Sequence, residues 1–130
     1  MDSWRYTKPN KHKANTLIEL ADNLLERLET TNKAQYSTST FLDYYTIIHH
    51  LMEAIASLDG IKFFGKGAHF NLIDYVSSKY KIDCKDFLQE FRDRRNNVIY
   101  EGKKVGPQFL RNEDYIKEII KQLKTIIKNQ

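Results

Sequence analysis

Cysteine is almost absent from this chain. Cys84 is the only one among 130 residues, so no disulfide can form within the chain and nothing points to an oxidising compartment. Long apolar runs are missing too. Pairs such as Ile47-Ile48 and Ile119-Ile120 fall far short of the roughly 20 residues a bilayer-spanning helix needs, and Met1-Asp2-Ser3-Trp4-Arg5 lacks the apolar stretch of a signal peptide. The expectation is a cytoplasmic protein without membrane contact. There is no CxxC and no HExxH, so no zinc spacing. Gly65-Lys66-Gly67 is too short for a phosphate-binding loop, and no nucleophile elbow is present. No metal and no cofactor is expected. The charge imbalance is small: 21 lysines and arginines against 17 acids, a net +4. That permits contact with nucleic acid without demanding it, so any such reading must rest on where the charges fall.

What is present suits one soluble globular domain, with 41% apolar and 29% charged residues. Glycine and proline are few and clustered: Pro9, then Gly60, Gly65 and Gly67, then Gly102, Gly106 and Pro107. Between these breaks apolar residues recur at helical spacing, and no run alternates like a strand. The predicted fold class is all-α, an up-and-down bundle of four to five helices over residues 14–130. Residues 1–13 form a basic aromatic arm, which could stack bases or pack its tryptophan on the bundle.

The first helix is expected over Ala14 to about Thr31, with Leu17, Ala21, Leu24 and Leu28 on one stripe widened by Ile18 and Leu25. The second runs from about Ser37 to Leu58, with Ser37 and Thr38 as caps. Phe41, Tyr44, Tyr45, Leu51, Met52 and Ile55 fall within about 60° of Ile48. The third spans about Ala68 to Tyr80, with Phe70, Ile73, Val76 and Tyr80 inward. The fourth starts at an Asp83 cap and stops at Gly102. The fifth begins near Asn112, its stripe running from Tyr115 and Ile116 to Ile127 with lysines on other faces.

The fourth helix carries the specific signal. Cys84, Phe87, Phe91 and Val98 define its core line, and Cys84 reads as a small apolar residue. Arg95 lies about 40° and Arg94 about 60° from that line, where apolar residues belong. Each must meet an acid or a phosphate, or lay its stem on apolar surface with its head in water. Asn96 and Tyr100 share the opposite face, which could meet a second subunit or solvent. On the second helix His49 and Glu53 stand at i,i+4, an arrangement that could orient a general base or form an ordinary surface pair. Glu53 could equally balance Arg95 or Arg94. His69, near a helix start, reads as a surface or capping residue.

The string Phe91-Arg92-Asp93-Arg94-Arg95-Asn96-Asn97-Val98-Ile99-Tyr100-Glu101-Gly102 resembles the signature of the HEPN superfamily (higher eukaryotes and prokaryotes nucleotide-binding domain). That signature is an arginine, usually followed by a polar residue, then four to six residues to a histidine at the end of a helix. Arg95 and Asn96 match its opening, and Tyr100 occupies the histidine's place. Tyr44-Tyr45, His49-His50 and Glu53-Ala54 resemble the family's second helix, and Gly65-Lys66-Gly67-Ala68-His69 its link to the third. The resemblance covers Ser37 to Gly102. It implies a homodimer and a metal-independent endoribonuclease chemistry in a toxin–antitoxin, defence or RNA-processing setting. Arg95 would stabilise phosphate charge, and Asn96 would orient the substrate or the motif. Tyr100 would replace the proton-transfer group. A phenol with a pKa of about 10 is a poor base at neutral pH, so RNA binding through Arg95, Arg92, Arg94, Lys103 and Lys104 is the leading expectation and cleavage the lesser one. The alternative implied by the resemblance is a non-catalytic nucleotide- or protein-binding module that partners a small nucleotidyltransferase.

Overall fold

The computed structural model describes residues 3–130; Met1 and Asp2 of the expected arm lie outside them. The helical periodicity resolves into α1 (Lys11–Glu29), α2 (Ser37–Asp59), α3 (Ala68–Lys79), α4 (Lys85–Glu101) and α5 (Glu113–Lys128), and a 3-10 helix (Pro107–Asn112) leads into α5. The all-α bundle is therefore present, with five α-helices among the described residues. Two three-residue strands accompany them, β1 (Trp4–Tyr6) and β2 (Ile61–Phe63).

α2 is the axis of the bundle. No residue from Thr40 to Gly60 is exposed, because α1, α3, α4 and α5 all pack on it. Its composition dictates this place. Ile47 lies about 100° from Ile48, and both are buried; a helix apolar around most of its circumference belongs in the interior. α1 lays Ala14, Ala21 and Leu28 against the core, and α5 lays Ile116, Ile119, Ile120 and Leu123.

Several sequence expectations change at the edges. α1 begins at Lys11 rather than Ala14, because the Asn10 side chain accepts from the Lys13 amide at 2.9 Å and caps it there. Ser37 and Thr38 do not cap α2. Ser37 Oγ donates to the Val105 carbonyl at 2.7 Å, and Thr38 Oγ1 accepts from the Val105 amide at 3.0 Å, which ties the start of α2 to the loop after α4. Cys84, not Asp83, takes the cap position of α4, and its thiol is buried. Phe70 and Tyr115 are exposed rather than inward. The buried side of α3 is formed by Leu72, Ile73, Val76 and Ser77, and Phe70 sits in the first turn beneath the Arg92 guanidinium, 5.4 Å from its ring. Tyr115 rests edge-on against Phe87 at the surface of the bundle, with ring centroids 4.8 Å apart.

The arm is not a separate tail. β1 pairs antiparallel with β2, Trp4 opposite Phe63, Arg5 opposite Lys62 and Tyr6 opposite Ile61. Two further backbone bonds, Thr7 N to Gly60 O at 2.8 Å and Asn10 N to Ser57 O at 3.0 Å, fasten it over the end of α2. Trp4 and Tyr6 pack edge to face at 5.1 Å, and both stay exposed.

Candidate functional site

Tyr45, His49 and Glu53 stand one turn apart on α2 and form a single row. Gly67 turns the chain into α3 with φ +85°, a backbone state that favours glycine, and this brings His69 in the first turn of α3 onto that row. The His69 ring stacks on His49 with centroids 4.1 Å apart. Its Nδ1 lies 2.9 Å from the Tyr45 hydroxyl. His49 Nε2 donates to Glu53 Oε1 at 3.0 Å, and Lys13 Nζ approaches Glu53 from α1 at 3.9 Å. From α4, the Arg95 guanidinium lies over the Tyr45 ring at 5.5 Å, and its Nη1 donates to Asn96 Oδ1 at 3.1 Å. Beside the row is a cavity of about 150 Å³, lined by His49, Glu53 and His69 and edged by Lys13 and Lys62.

Burial, then the charges of His49 and Arg95, push the His69 imidazole down to about 4. His69 is therefore neutral at physiological pH. Burial pushes the Tyr45 phenol up to about 12, so it keeps its proton. Its hydroxyl has no other acceptor among the described residues. Tyr45 thus donates to His69 Nδ1, and His69 carries its hydrogen on Nε2. The hydrogen bond from His49 holds Glu53 below the usual carboxylate range, against the opposing effect of its burial. His49 Nδ1 is buried without a partner among the described residues. With these assignments the site offers donors: the Arg95 guanidinium, His69 Nε2–H and the Lys13 ammonium. Glu53, whose side chain is 37% exposed, is the acceptor among them. Neither imidazole presents an accessible basic nitrogen.

The residues expected from the sequence divide accordingly. His49 and Glu53 form the pair their spacing suggests. Glu53 balances neither Arg94 nor Arg95; Arg95 has no carboxylate within ion-pair distance among the described residues, and neither does Arg94. Both arginines instead lay guanidinium on an α2 ring, Arg94 on Phe41 at 4.9 Å and Arg95 on Tyr45. Arg92 pairs with Asp93 at 2.8 Å and accepts help from Gln89, to whose Oε1 its Nε donates at 3.0 Å. Lys103 pairs with Glu101 at 3.4 Å, and Lys104 is exposed beyond the end of α4. Tyr100 makes no hydrogen bond or ring contact with the cluster among the described residues and is 75% exposed at the end of α4 beside exposed Ile99. His69 is not a surface or capping residue, because the turn before α3 folds it inward. Tyr45 was legible only as core; its signal was the row Tyr45, His49, Glu53 at four-residue spacing. Lys13 joins from the first turn of α1 and Lys62 from β2, which no local pattern showed. Burial raises the Cys84 thiol to about 11, leaving it a packing residue.

Comparison with protein-family models, curated proteins and solved structures finds no match for this chain.

Proposed function

We propose that this chain is a HEPN-like RNA-binding protein whose α2–α4 cluster holds the phosphodiester backbone. One observation carries the reading: the Arg95 guanidinium, fixed over Tyr45 beside the His49–Glu53 pair, has no carboxylate partner among the described residues. A planar, preorganised guanidinium of this kind matches a phosphate. Arg5 and Lys62 support it. They face each other directly across the β1–β2 ladder, where like charges repel and a polyanion would relieve them. Glu53 would favour RNA over DNA, since a partly exposed carboxylate can accept from a ribose 2′-hydroxyl that DNA lacks. Binding is favoured over cleavage because His49 is committed to Glu53, His69 presents a donor, and Tyr100 contacts neither histidine among the described residues. A second reading, a protein-binding module for a nucleotidyltransferase or a second copy of this chain, is supported by Ile99 and Tyr100, 49% and 75% exposed side by side.

The test is fluorescence anisotropy with structured and unstructured RNAs over a salt series, with a parallel cleavage assay in EDTA. Arg95→Ala is expected to lower affinity by about tenfold, the loss of one charged hydrogen-bonding contact. Tyr100→Phe is expected to leave it unchanged. Affinity indifferent to both salt and Arg95→Ala refutes the reading. Cleavage that survives EDTA and disappears with Arg95→Ala turns it into a ribonuclease. Absence of RNA affinity together with stable co-purification of a nucleotidyltransferase favours the second reading.

A further inference from the structure

A second cavity lies one turn along α2 from the cluster, on the far side of Phe91. That ring packs against both Phe41, at 4.6 Å, and Tyr45, at 5.6 Å, and so separates the two places. The cavity measures about 140 Å³ and is walled by Phe41, Phe87, Phe91 and Phe109, with Glu90 and Arg94 at its edge. Glu90 and Arg94 stand at i,i+4 on α4, the spacing at which the two residue types usually pair. No ion pair joins them among the described residues; Arg94 lies over Phe41 instead. The pocket therefore combines aromatic walls with an uncommitted acceptor and an uncommitted donor. An apolar cavity of about 150 Å³ accommodates a benzene-sized ring, which is the size of a pyrimidine. Cytosine sets an amino donor beside a ring-nitrogen acceptor. Glu90 would accept from the amine, and Arg94 would donate to the ring nitrogen. Uracil offers a carbonyl where cytosine has its amine and would meet the carboxylate acceptor to acceptor. Phe41 precedes Tyr45 by four residues, about 6 Å along the helix axis, so a strand whose phosphate lies on Arg95 can place a neighbouring base here.

We propose that this cavity is a cytosine-binding subsite of the RNA-binding surface, an inference that rests on the RNA reading above. The test is an NMR titration of the intact protein with cytidine 5′-monophosphate, uridine 5′-monophosphate and ribose 5-phosphate. Cytidine monophosphate is expected to shift the resonances of Phe41 and Phe109 and to bind about tenfold more tightly than the uridine nucleotide, the discrimination one good base contact supplies. Ribose 5-phosphate is expected to leave those resonances in place. Glu90→Gln, at an exposed position that does not burden folding, should abolish the preference for cytosine while circular dichroism stays unchanged. Arg95→Ala should weaken RNA while the cytidine shifts at Phe41 and Phe109 persist. Shifts confined to the His69 and Arg95 region, or equal affinity for the two nucleotides, overturn the subsite and leave the RNA reading standing. Cytidine binding at Phe41 and Phe109 without any RNA affinity keeps the subsite and makes its ligand a free nucleotide.

Discussion

His69 decides the chemistry of the cluster by staying neutral, and that neutrality has a thermodynamic signature. Its imidazole sits near 4 in the folded protein against an ordinary 6.5. Between those values the unfolded chain binds a proton that the native state does not, so stability falls as pH drops through that window. Glu53 acts with the same sign lower down. Its carboxyl is held below its ordinary 4.5, so its contribution is full above 4.5 and is lost as pH falls through the folded value. Burial lowers His50 too, but His50 is common to the proteins to be compared. Thermal melts of wild type and His69→Gln, from neutral pH down to the carboxylate range, should show the variant losing less stability on acidification between 6.5 and 4. Parallel curves would mean that His69 titrates normally. The same residue marks what the sequence could not disclose about the site. His49–Glu53 was readable because both lie on one helix, and Arg95 because its register conflicts with its charge. His69 reaches them across 20 residues through a glycine turn, a contact that helical spacing does not encode. Tyr45 looked like core because it is core, with only its hydroxyl and ring face serving the cluster.

Elements were more legible than their joins. The five helices follow from apolar periodicity, and Gly102 ends α4 in the left-handed state with φ +67°. β1 and β2 escaped notice because three residues are too few to show alternation, and the pairing spans more than 50 positions of sequence. Ser37 and Thr38 look like caps to any local rule, yet the Val105 backbone competes for their hydroxyls and wins. The join between arm and α2 rests on Gly60. Its φ is +72°, and a Cβ there would come within 2.7 Å of the Thr7 carbonyl, a backbone atom. Gly102 has a similar φ of +67° but open space around it. Gly102→Ala should therefore cost only the left-handed penalty, about 1 kcal/mol. Gly60→Ala should cost more than about 2 kcal/mol, because the Thr7 strand must also move. Urea denaturation measures the two costs. Hydrogen exchange should show the extra loss at the amides of β1, and equal costs for the two variants would place the arm's anchorage elsewhere.

For the whole molecule, charge placement matters more than the net value of +4. Most lysines of α5 lie on solvated faces, and Lys124 pairs with Asp22 of α1; such charges add little to recognition. The cations that bear on the cluster come from three separate parts of the chain: Lys62 on β2, Lys13 on α1, and Arg95 on α4. Folding gathers them at some cost, since Arg5 and Lys62 are directly opposed. Lys62 therefore separates stability from function. Lys62→Glu lowers the formal charge from +4 to +2 and sets a carboxylate opposite Arg5, which should stabilise the ribbon by about 0.2–1 kcal/mol. The same change removes a cation from the edge of the His49–Glu53–His69 cavity. Under the RNA reading proposed above, RNA affinity should fall, and the slope of log affinity against log salt should become shallower by about 0.7, the share of one phosphate contact on a single strand. A protein that gains stability and loses RNA affinity together is one whose surface repulsion is kept for its ligand. If Lys62→Glu raises stability while leaving RNA affinity and its salt slope untouched, the ribbon lies outside the proposed RNA-binding surface, which then narrows to α2 and α4.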